Sequence, residues 1–140
     1  MNPILKNILA IVIGWLTGSV INMGLIKLGH LLMPIDGVDP NNMEVMAEVM
    51  PTLSFEYFIF PFLAHALGTF IGAFIAARIA NYRKMAFAMA IGFLFLLGGI
   101  MINYILAGPT WFTVVDLFLA YIPMAWIGGE LALKLSKNKK

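Results

Sequence analysis

Four long apolar stretches constrain this chain more than anything else in it: Ile4 to Met33, Phe55 to Ala80, Met85 to Ala107 and Trp111 to Leu135. A helix needs about 20 residues to cross a bilayer, and each stretch meets that length. Charged residues make up only 11% of the 140-residue chain, against about 25% in ordinary soluble domains. A fold of this size cannot hide so much apolar surface from water, so its solvent is lipid. The expected fold class is an all-α integral membrane protein, a four-helix antiparallel bundle forming a single domain over residues 1–140. There is no cysteine, which excludes disulfides and thiol chemistry.

The breaks between stretches carry turn signals. Pro34, Asp36-Gly37 and Asp39-Pro40 open a loop over 34–54, Asn81 to Lys84 make a short polar turn, and Gly108-Pro109 interrupts before the last stretch. Within the first loop, Met43, Met46, Ala47 and Met50 recur at helical spacing, with Glu44 and Glu48 opposite. This pattern predicts a short amphipathic helix over about 40–50, N-capped by Asp39, started by Pro40 and lying on the membrane surface. Methionine thioethers suit Cu(I), but no histidine or cysteine accompanies them in that helix, and adaptable apolar packing is the expected role.

Charge sets a direction. Lys6, Arg78, Arg83, Lys84, Lys134, Lys137, Lys139 and Lys140 fall at one end of a four-span bundle, while Asp36, Asp39, Glu44 and Glu48 fall at the other. The positive-inside rule then places both termini in the cytoplasm and the acidic loop outside. The first span has a leader-like start, but its length and the lack of a small-residue cleavage site predict that it is retained.

Small residues recur four apart. "PFLAHALGTFIGAFIAA", residues 61–77, carries Ala64, Gly68, Gly72 and Ala76; span one carries Gly14 and Gly18, span three Gly99, and span four Gly128. Lipid tails are as apolar as leucine, so close backbone contact, rather than hydrophobic exclusion, holds membrane helices together. These residues are the expected helix-packing positions.

Polar residues inside a membrane are costly and point to function. They gather in one half of the predicted bundle: Asn22, His65, Thr69, Asn103, Asp116 and Tyr121. Two readings follow. In one, these six residues line a pocket for a small solute or ion, and His65, whose charge changes near neutral pH, links it to protons. In the other they are interhelical hydrogen bonds in a structural or partner-binding protein with no ligand. No two of His30, Glu56, His65 and Asp116 share metal-ligand spacing, so no metal site is expected. No nucleophile–base pair, phosphate loop or nucleotide motif is present, so neither an enzyme nor a cofactor is expected. The basic residues suit membrane anchoring rather than nucleic acid. Expected partners are the lipid bilayer, a small solute or ion, and further copies of the chain if it conducts, since four spans make a small permeation unit.

"PFLAHALGTFIGAFIAARIA" and "LFLAYIPMAWIGGEL" resemble stretches of small four-span bacterial membrane proteins that have no settled activity. The resemblance extends over most of the chain. It implies a bacterial inner (cytoplasmic) membrane and assigns no catalytic or binding residue.

Overall fold

A computed structural model describes residues 2–138, so Lys139 and Lys140 lie outside the described residues. The described chain is helical with no strand: α1 (Pro3–Leu32), α2 (Met43–Val49), α3 (Ile59–Ile79), α4 (Lys84–Leu106), α5 (Thr110–Leu119) and α6 (Ile122–Lys137). Short 3-10 turns at Met50–Thr52 and Phe55–Phe58 lead from α2 into α3. Four helical units are long and apolar enough to cross a membrane: α1, α3 with the turn before it, α4, and α5 with α6. This is the expected antiparallel bundle, and the chain is a multi-pass membrane protein. Both ends of the described chain fall at one end of the bundle, the basic end. The loop over 34–54 covers the other, the acidic end.

Side-chain size sorts inside from outside. Ala73, Ala76, Ala77, Ala88, Ala125 and Ala132 are fully buried with Ile91, while Val20, Leu97 and Phe118 point outward. A core of alanine lets the helices come close, and the large apolar side chains remain for lipid. α1 and α3 come close enough for backbone to meet backbone. A Cβ placed on Gly14 would lie 2.7 Å from the Gly72 carbonyl oxygen, and one on Gly18 would lie 2.5 Å from that of Gly68. Gly128 of α6 meets the Phe70 carbonyl in the same way, and Gly99 of α4 makes room for the Tyr121 ring. Ala64 and Ala76 are fully buried on α3. At the basic end the Asn7 side chain accepts from the Asn81 backbone N–H (2.9 Å), and Arg78 donates to Ser136 (3.3 Å). These two bonds pin the α3–α4 turn to α1, and α3 to α6.

Two sequence expectations change. The surface helix starts later than Pro40. Asn42, not Asp39, is its N-cap, accepting from the N–H groups of Glu44 and Val45, while Asp39 folds a turn onto Asn41. Its apolar face turns onto the bundle rather than onto the membrane plane: Met46 and Met50 pack with Phe58 and Phe112. The fourth span is two helices. Pro123 has no N–H to offer and its ring crowds the carbonyl four residues back, so the helix breaks at Ala120-Tyr121.

Candidate functional site

The break in the fourth span builds the polar centre of the molecule. Asp116, on the last turns of α5, is fully buried, and its carboxylate collects three partners from three directions. His65 Nδ1 of α3 lies 2.8 Å from Oδ1. Asn103 Nδ2 of α4 donates to Oδ2 (3.1 Å), and the Tyr121 hydroxyl donates to the same oxygen (3.0 Å). Asn103 is itself held, donating to the Gly99 carbonyl (3.0 Å) and accepting from the Thr113 hydroxyl (3.1 Å). The Tyr121 ring stacks on the His65 imidazole at 5.6 Å between centroids. Every group facing Asp116 is thus a donor, which suits a carboxylate, whose oxygens only accept. In low dielectric such a network is strong when complete and costly when broken.

With its Nδ1–H given to Asp116, a neutral His65 ring keeps an acceptor lone pair on Nε2. That nitrogen has no hydrogen-bond partner among the described residues, and it is not sealed in protein. His65 instead lines a cavity of about 310 Å³ between α1, α3 and α4 at the acidic end. Asn22 and Asn103 join it at the deep end; Met23, Ile26, Phe60, Ile102 and Leu106 form the walls; Met43, Met46 and Met50 come down from above. The Asn22 amide, like His65 Nε2, has no hydrogen bond within the described protein. His65 sits six residues into α3, so the cavity reaches about 9 Å below the start of that helix. Below it α1 and α3 close on each other at Gly18 and Gly68.

The six polar residues singled out in the sequence therefore divide. Asn22, His65 and Asn103 line the cavity. Asp116 and Tyr121 stand behind His65, joined to it but off the wall. Thr69, one turn deeper on α3, is fully buried, its hydroxyl has no partner, and it lies off the wall as well. Sequence reasoning missed Thr113 and most of the α1 wall, although Asn22, Ile26, Gly29 and Met33 recur at helical spacing on one face. It also missed that the methionines of α2 would cover a cavity. Among the described residues, no three His, Cys, Asp or Glu side chains group to hold a metal ion.

No family model matches the chain, and neither curated proteins nor solved structures give a match.

Proposed function

We propose that this multi-pass membrane protein binds a small, mainly apolar molecule in the cavity at its acidic end, held through a hydrogen bond to His65. The observation that carries this is the two-sided imidazole: Asp116 fixes one nitrogen, and the other is left to a 310 Å³ cavity. That volume falls within the range of ligand pockets, which are mostly apolar with a few placed polar groups. The reading is binding rather than passage, because the helices close beneath the cavity at Gly14, Gly18, Gly68 and Gly72. By the positive-inside rule the cavity faces away from the cytoplasm, as it would in a bacterial inner membrane.

A second reading has its own support. The Asp116 network ties α3, α4 and the two halves of the fourth span together, as a purely structural device would. The two readings part at Asn22 and Ile26, which line the cavity and take no part in the network. Native mass spectrometry of protein released from nanodiscs tests them. A stoichiometric adduct on the wild type, lost when Ile26→Trp fills the cavity, is expected. A bare wild-type protein, with His65→Ala merely destabilised, would leave only the structural role.

A further inference from the structure

Building on that reading, we infer that the ligand is a neutral amphipath dissolved in the membrane, with a hydroxyl head, which enters sideways between α1 and α4. The cavity's chemistry sets the class. Its walls are mostly carbon and thioether, with the His30 ring and Tyr57 among them, and its deep end holds the Asn22 amide and the free face of His65. An apolar body with one hydrogen-bonding end matches that division. The head is neutral for two reasons. No Lys or Arg lines the cavity, and its basic side chains are the His30 and His65 imidazoles, so no permanent cation is there to compensate a phosphate. The Asp116 carboxylate also stands one imidazole away and repels an anion. A neutral hydroxyl can donate to His65 Nε2 and accept from Asn22 at once.

The route follows from how α1 and α4 run. They touch in mid-bundle, where a Cβ on Gly18 would lie 2.8 Å from the Phe95 ring. One turn further toward the acidic end, Asn22, Met23 and Ile26 of α1 face the cavity, as do Ile102 and Asn103 of α4. The helices are parted there by the cavity itself. Met23 is both a wall residue and 57% exposed, so the wall is not sealed at that point. The loop end is covered in part: Met46 and Met50 of the α2 segment are buried against Phe58 and Phe112, while Met43, also a wall residue, is 44% exposed.

The test uses a fatty alcohol carrying a diazirine on its chain, with its phosphate monoester as the control, in phosphatidylcholine nanodiscs. After irradiation, peptide mass spectrometry locates the adducts. The alcohol is expected to label Met23 and Ile102 well above the level at lipid-facing Leu97, and the phosphate ester is not. Ile26→Trp, which leaves the Asp116 network untouched, should reduce that labelling to the Leu97 level. His65→Gln should reduce it about fivefold, the worth of one hydrogen bond. The chain has no cysteine, so Met23→Cys with Ile102→Cys can be bridged cleanly by a bis-maleimide; relative to the unbridged double variant, bridging should stop labelling of the remaining wall residues Ile26 and Leu106. Equal labelling by alcohol and ester, or labelling that Ile26→Trp leaves unchanged, would overturn the inference. A water-soluble adduct lost in Ile26→Trp, with no labelling by the alcohol, would overturn it while leaving ligand binding standing. No adduct of either kind would remove both.

Discussion

Replacing Asp116 by asparagine should leave the bundle folded and reverse the hydrogen-bonding sense of the cavity-facing nitrogen. The wild-type carboxylate accepts from His65 Nδ1, Asn103 and Tyr121. An introduced amide has one oxygen to accept with and one NH2 to donate. Asn103 and Tyr121 both approach Oδ2 as donors, so the oxygen must stay on that side. The NH2 then faces His65 Nδ1, which has to become the acceptor, and the ring proton moves to Nε2. Bonds to a charged group contribute about 1.5–3 kcal/mol each and neutral ones about 0.5–1.5, so three bonds weaken by roughly 3 kcal/mol in total. Removing a buried charge recovers several kcal/mol of desolvation, and the net change should stay within about 2 kcal/mol. Asp116→Ala differs, because it strands the Tyr121 hydroxyl, 1% exposed, and the His65 N–H, at a cost of roughly 3–5 kcal/mol. The chain has two histidines, so 15N-histidine spectra resolve the tautomer directly. Denaturation in mild detergent gives the stabilities. An unchanged His65 tautomer in Asp116→Asn, or Asp116→Ala as stable as Asp116→Asn, would refute the argument.

Gly18→Ala should cost about 1–3 kcal/mol, since the new methyl meets the Gly68 carbonyl and the Phe95 ring, whereas Gly24→Ala, which meets nothing, should gain about 0.5–1 kcal/mol of helix stability; paired unfolding curves check the sign of each. Pro123→Ala should let α5 and α6 run on as one helix and withdraw the Tyr121 hydroxyl from Asp116. A double-mutant cycle with Tyr121→Phe should then show the pair losing no more than the larger single change, and strict additivity would disprove the link.

The spans were legible because their signal is bulk: apolar length, with Gly/Pro and polar breaks, fixes four crossings whatever the tertiary detail. The clustering of polar residues in one half was also legible, because depth along antiparallel helices follows from counting. Partnership was not. Asp116 and His65 are 51 positions apart, and no spacing rule reveals that α5 and α3 bring them to 2.8 Å. For the same reason Thr69 was counted with its neighbours, although it faces away from the cavity wall. The start of α2 was misplaced because Asp39-Pro40 and Asn42 are both competent helix starts locally. The chain takes the one that lets Met46 and Met50 reach Phe58 and Phe112.

The break at Ala120-Tyr121 explains why an acid can sit in the centre of this bundle at all. Residues five apart on a continuous α-helix point about 140° away from each other, at 100° per residue. On an unbroken span Tyr121 would face away from Asp116, and the fully buried carboxylate would lose one of its three donors. Pro123 interrupts the helix and Tyr121 turns back under Asp116, where its ring fills the notch at Gly99 and lies against His65. Proline, tyrosine and glycine therefore act together: one breaks the helix, one fills the turn, one makes room. The outcome is a fully hydrogen-bonded acid behind a histidine that faces the cavity, which makes the least helical part of the fourth span the part that aims the candidate site.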